Sequence, residues 1–144
     1  MGKEGAHGAE ARRQATEGRV NGITFDAGGL IALERNDRRI FSILHTALED
    51  GDRIVVPATA LAQVIRNPAK QVGLWRMIQF DKTEVVPLDA SQAQAVGALL
   101  ARSGTSDIAE AHVVICAQWA GHAVITSDPL DLRRLDPKLR VIVV

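Results

Sequence analysis

From Val20 onward, short apolar runs rich in Val and Ile alternate with longer stretches whose apolar positions recur every three or four residues. The first kind reads as strand and the second as amphipathic helix. GITFD (22–26) is a strand, and AGGLIALERND after it is a short helix with a loose, glycine-rich start. RRIFSILHTALEDG places Ile40, Ile43, Leu44, Ala47 and Leu48 on one helical face and stops at Gly51. DRIVVP is a second strand, and its Pro57 suits the first turn of the helix ATALAQVIR. PAKQVGLWRMIQF predicts another helix, begun by Pro68, with Leu74, Trp75 and Ile78 turned inward. TEVVPL is a third strand, and DASQAQAVGALLARSG is a helix begun by Asp89 and ended near Gly104. SDIAEAHVVICAQWAG is apolar on nearly all sides from Val113 to Ala117, which predicts the most buried helix. HAVITSD is a fourth strand, PLDLRRL a short helix, and LRVIVV a terminal strand.

Strands that are continuously apolar, separated by helices, predict an α/β fold: a three-layer α/β/α sandwich with a mostly parallel central sheet. The pattern spans residues 20–144 as one domain. Residues 1–19 (MGKEGAHGAEARRQATEGR) have nothing to bury and read as a flexible N-terminal extension. Hydrophobic residues make up 47% of the chain and aromatics only 3%, so the core is aliphatic and no ring platform for single-stranded nucleic acid is evident. Seventeen basic and seventeen acidic residues cancel, which excludes a global positive field as the main route to a polyanion and leaves a local basic patch open. Cys116 is the single cysteine, so no intrachain disulfide and no Cys/His zinc spacing exist, and a cytoplasmic location is expected. No run approaches the roughly 18 apolar residues of a membrane span.

In a parallel sheet, ligands bind outside the carboxyl ends of the strands, and the acidic residues fall there. Asp26 closes the first strand and Asp128 the fourth, with Asp131 three residues on. Asp107 and Glu110 share the first turn of the helix leading into the fourth strand. Each acid also stands where a helix begins, and capping explains any one of them about equally well; DIAE has the form of a capping box. Convergence of all five is another matter, because clustered carboxylates repel and demand a cation. An all-oxygen set favours Mg²⁺ or Mn²⁺ over zinc, and hydrolysis of a phosphodiester is the reaction such a site serves best.

Four segments, ITFDAGGLIAL, VVPATALAQVIR, SDIAEAHVVICAQ and AVITSDPLDLRRL, in this order and spacing resemble a PIN domain of the VapC toxin type over residues 20–144. The resemblance implies a metal-dependent endoribonuclease of a type II toxin–antitoxin pair. Its catalytic acids would be Asp26, Glu110 and Asp128, with Asp107 and Asp131 as auxiliary metal ligands. The second acid of the family pattern falls at Gln63, whose amide can ligate a hard ion but carries no charge. Thr126 would support the metal-bound water or a phosphate. The implied cofactor is Mg²⁺ or Mn²⁺; the implied partners are RNA (tRNA or rRNA as candidates), a VapB-type antitoxin and a second copy of the chain as homodimer, with no membrane.

Among the basic residues, Arg133 and Arg134 directly follow Asp131 and are the first candidates for RNA contact; Arg38, Arg39, Arg66, Lys70 and Arg76 read equally well as solvated helix faces. Phe41, Trp75 and Phe80 are core residues by default and candidates for a partner-helix groove. His112, His122 and Cys116 read as buried structural residues. The rival reading is a PIN-like module that binds RNA or protein without cleaving it, and Gln63 is the feature that keeps it open.

Overall fold

The structure, a computed structural model, describes residues 21–144. The extension expected over residues 1–19 lies outside the described residues. Five parallel strands, β1 (Gly22–Phe25), β2 (Arg53–Pro57), β3 (Thr83–Val86), β4 (Ala123–Thr126) and β5 (Val141–Val143), form one sheet in the order β3-β2-β1-β4-β5. The helices are α1 (Ala27–Glu34), α2 (Arg38–Glu49), α3 (Ala58–Val64), α4 (Val72–Ile78), α5 (Ala90–Ser103), α6 (Ile108–Ala120) and α7 (Pro129–Leu135). From β1 the chain steps outward to β2 and β3, then returns past β1 to β4 and β5. With right-handed crossovers, the outward half lays α1 to α4 on one face and the return lays α5 to α7 on the other. Accordingly α2 packs on β2 and α4 on β3, whereas α6 packs on β1, β2 and β4 and carries α5 and α7. The α/β/α sandwich read from the sequence is the architecture observed. No helix among the described residues is long and apolar enough to cross a membrane.

β1 and β4 are buried at every position, as strands between two helical layers must be. Ala111 to Ala117 of α6 form an unbroken buried run, the central helix the pattern predicts. Two elements depart from expectation. In α2, Ile40, Leu44 and Ala47 are buried, but Leu48 is 42% exposed and Phe41 45%. The buried stripe is narrow, and both residues fall beside it on the rim of a groove toward α4. The helix expected from Pro68 to Phe80 is broken: Pro68–Lys70 is a single 3₁₀ turn, and α4 begins only at Val72. Gln71 makes the break. Its buried amide oxygen accepts from the backbone N–H of Arg66 and Asn67, and its NH₂ donates to the Val64 carbonyl and to Glu34. A glutamine that satisfies the frayed end of α3 in this way holds the chain in a turn there.

The glycines after Asp26 serve close approach rather than looseness. A Cβ on Gly28 would stand 2.2 Å from Ser127 Oγ, and one on Gly29 would stand 2.5 Å from the carbonyl oxygen of Ile125. The first turn of α1 is thus pressed onto the end of β4, closer than any side chain permits. Gly29→Ala is expected to lower stability by about 1–3 kcal/mol in chemical denaturation, against the helical preference for alanine of roughly 1 kcal/mol. A gain would mean the β4 carbonyl yields freely and the contact is incidental.

Candidate functional site

β1 and β4 lie side by side at the point where the strand order reverses, and both point their carboxyl ends at the same pole. Asp26 leaves β1 there. Its backbone N–H donates to the Ile125 carbonyl at 3.2 Å, and its side chain accepts from Gly29 N–H at 2.8 Å, capping α1. Thr126, wholly buried at the end of β4, accepts from the Asp128 N–H at 2.9 Å through its hydroxyl and bonds the Asp26 carboxylate. A single hydroxyl therefore ties the two strand ends, and both of its bonds are internal.

Asp26 and Asp107 do cap helices; Asp107 Oδ1 accepts from Glu110 N–H at 3.0 Å. Asp128 stands at the head of α7 yet makes no capping bond. Glu110 returns no bond to Asp107 among the described residues, so only half of the expected capping box forms. Asp131 has one neighbour of opposite charge, Arg134, at 3.8 Å on an exposed face. Among the described residues, the side chains of Asp128 and Glu110 thus serve no structural bond, and Asp131 only a loose one.

Electrostatics brings the five together. The Glu110 carboxyl is pushed up to about 7, by burial first and then by the repulsion of Asp107, Asp131, Asp128 and Asp26 in that order. Asp26 is also raised: its burial outweighs the bonds from Thr126 and the α1 amides, and Asp128 adds to the effect. One acid feeling four others, with Arg134 the one basic partner among the described residues, marks a pole dominated by negative charge. Its donor set, all carboxylate oxygen, suits a hard divalent cation. Among the described residues, no three carboxylate, imidazole or thiol groups already close into a ligand set. The acids share one field without forming a finished cage.

Gln63 is exposed on α3, a helix wedged between α1 and α6, whose N-terminal turns carry the acids; it bonds none of them. The two arginines part company. Arg134 stays beside Asp131, whereas Arg133 lines a cavity reaching the opposite end of the sheet. His112 and His122 are buried, held through Nδ1 to Thr59 Oγ1 at 2.7 Å and to Thr24 Oγ1 at 3.1 Å. Cys116 is buried with its thiol pushed up to about 12 by desolvation, which fits a core residue and no nucleophile. Phe41 and Phe80 line a groove of about 520 Å³ between α2 and α4; Trp75 is not part of it. Two supports of the pole, the Gly28–Gly29 pair and the Thr59–His112 link between α3 and α6, went unread; the glycines directly after a strand-ending aspartate were the available signal.

No protein-family model matches the chain, and no curated protein matches it. Solved structures do. A chain in the crystal structure of VapBC2 from Rickettsia felis, bound to a DNA fragment from their promoter, superposes with a TM-score of 0.64 at 14% identity, over 83% of this chain and 96% of that one. FitAB bound to the IR36 DNA fragment gives 0.58 at 17% identity, over 83% and 93%. FitAcB from Neisseria gonorrhoeae gives 0.56 at 16%, over 83% and 96%. The resemblance to the VapC type is borne out at the level of the fold.

The raised carboxyls set a pH dependence. Glu110 binds its proton more tightly in the folded chain, about 7 against an ordinary 4.5, and Asp26 is shifted in the same sense. The stability this confers is complete below about 4.5 and is lost as pH rises through about 7. Thermal unfolding in chelator should therefore show a falling melting temperature from about pH 5 to 8, and Glu110→Gln should flatten the fall. An equally steep fall in the variant would place the cause elsewhere.

Proposed function

We propose that the chain is a divalent-metal-dependent endoribonuclease, the toxin component of a type II toxin–antitoxin pair. The observation that carries this reading is Glu110, raised by four other acids at the switch point of a VapC-like fold. Asp26, Glu110 and Asp128 would hold Mg²⁺ or Mn²⁺, with Asp107 and Asp131 completing the negative field. Such an ion, when bound, supplies charge neutralisation at the scissile phosphate and acidifies a water. The chain's own residues provide the rest. Thr126 and the glycine pair fix the Asp26 carboxylate against β4, so that its free oxygen keeps one direction. Glu110, raised by burial and by the other acids when no ion is present, would give up its proton as a cation binds, so that metal affinity rises with pH. Arg134, at the edge of the acids, would meet the RNA backbone, and Arg133 would do so only on a strand that passes around the sheet edge.

The neighbours are two-component assemblies by name, and two of them are held on DNA. A companion antitoxin for this chain follows by likeness of fold, and the groove between α2 and α4, with Phe41, Leu48 and Val72 exposed on it, is the surface we assign to it. A homodimer and a cytoplasmic setting complete the reading.

Gln63 favours a second reading, a module that binds RNA without cutting it. The two separate in one experiment: incubation of a tRNA and rRNA pool with Mg²⁺, Mn²⁺ or chelator, together with calorimetric titration of Mn²⁺. The nuclease reading expects metal-dependent cleavage reduced on the order of 10²-fold or more in Asp26→Asn and Asp128→Asn, and saturable Mn²⁺ binding weakened in the same variants. Gln63→Glu should bind Mn²⁺ more tightly. Inactive wild type with activity appearing only in Gln63→Glu would establish the binding module instead.

A further inference from the structure

The end of the sheet opposite the acids carries a second opening. Gly22, Ala123 and Val141, the first residues of β1, β4 and β5, line a cavity of about 860 Å³ that runs between α2 and β5. Its walls are aliphatic, with Ile43, Ala47 and Leu139 among them, and no aromatic ring lines it among the described residues. A nucleobase would find no ring to stack on there.

Three cations stand on the wall, Arg133, Lys138 and Arg140, and none has an acidic partner among the described residues. The one carboxylate on the wall, Asp52, is itself engaged. In a chain of zero formal net charge, three unpaired cations at one opening leave it locally positive. A lone apolar pocket would be indifferent to charge; this one is complementary to an anion.

β5 borders the cavity and is the last strand of the sheet. The Arg140 carbonyl accepts from Val124 N–H at 2.9 Å, and Val144 N–H donates to the Thr126 carbonyl at 3.0 Å. Residues 140, 142 and 144 therefore face β4. Successive residues of a strand direct their backbone groups to opposite sides, so the N–H and C=O of Val141 and Val143 face outward. Val143 is 53% exposed, and neither charge nor proline within β5 blunts the edge.

We propose that the free edge of β5 and the cavity beside it dock an extended acidic peptide segment of another protein, which adds a sixth strand and sets its carboxylates against Arg133, Lys138 and Arg140. The backbone groups of Val141 and Val143 provide the ladder. The cations precede β5 or flank it, so acidic residues at the ends of the added strand meet them while its apolar residues cover the aliphatic wall. A second copy of this chain would bring its own Arg140 and Lys138 to a wall already positive, which disfavours self-pairing.

The test uses the full chain and a fluorescein-labelled peptide, acetyl-Glu-Asp-Val-Thr-Val-Thr-Val-Asp-Glu-amide, whose acidic ends serve either strand direction. Fluorescence anisotropy should show saturable binding. At least tenfold weaker binding is expected for the Arg133→Ala/Lys138→Ala/Arg140→Ala chain, for the peptide with Lys in place of its acids, and for the peptide with two central amides N-methylated. Binding indifferent to N-methylation would reduce the site to charge attraction and overturn strand addition. The proposal also fails if no saturable binding occurs, if an RNA oligonucleotide displaces the peptide from the same residues, or if the chain self-associates in a manner abolished by Val143→Pro.

Discussion

The pairing of β1 with β4 governs the rest of the molecule. The two strands are far apart in sequence, and between them the chain builds β2, β3 and the helices from α1 to α6 before returning to β1 from the other side. At that reversal neighbouring crossovers leave for opposite faces, which opens a crevice at the carboxyl ends of the strands. The N-terminal turns of α1 and α7 begin there, and that of α6 is brought there as the helix crosses the sheet. Three helix starts give the pole a partial positive charge, which lowers the cost of acids that, among the described residues, only Arg134 offsets. The glycine pair lets α1 sit hard against the end of β4, and Thr126 ties both strand ends together. Without that closeness Asp26 and Asp128 would not share a field.

Two aspartates elsewhere show what an ordinary cap looks like. Asp37 caps α2 and pairs with Arg39 at 2.8 Å, which lowers its carboxyl, and Asp89 caps α5 through Gln92 N–H. Both lie outside the acidic pole. The same residue type before the same kind of element thus has two environments. At the pole, burial and repulsion raise Asp26 and Glu110, and the side chains of Asp128 and Glu110 are left without structural bonds. A fold selected only for helix stability would not gather them. The outlay in repulsion is understandable if the pole works on something positive.

How far the sequence could be read follows the range of the forces involved. Strands, helices and the buried α6 came from periodicity, a local property each segment carries alone. The acids were legible as a set because the parallel-sheet rule converts strand ends into a common location without any coordinate. What escaped depends on a neighbour distant in sequence. Gln71 breaks a helix through bonds to Val64 and Glu34, and nothing in its own segment announces them. Gly28 and Gly29 looked like a loose helix start because the atoms they make room for belong to Ser127 and to Ile125 of β4, nearly a hundred residues later. Leu48 belonged by spacing to the buried face of α2, but the width of that face is set by what α2 packs against. Arg133 and Arg134, adjacent in sequence, diverge because successive residues on a helix point about 100° apart.

Gln63 fits into the same account through charge. It lies exposed on the helix wedged between α1 and α6, and its neutral amide adds nothing to the repulsion that helps lift Glu110 to about 7. Further repulsion would raise Glu110 again and weaken the metal-free fold near neutral pH, since a raised carboxyl loses its stabilising effect as it ionises. An amide removes that cost and keeps an oxygen donor. It also carries one negative charge fewer than a carboxylate would. The remaining acids include Asp107, which spends one oxygen on a cap, and Asp131, loosely held by an exposed arginine. Asp131 is the freer of the two to turn toward a cation, and it stands one helical turn from Asp128. With a neutral residue on α3, the negative field of the pole rests on the acids that follow β1 and β4 and on those that open α6.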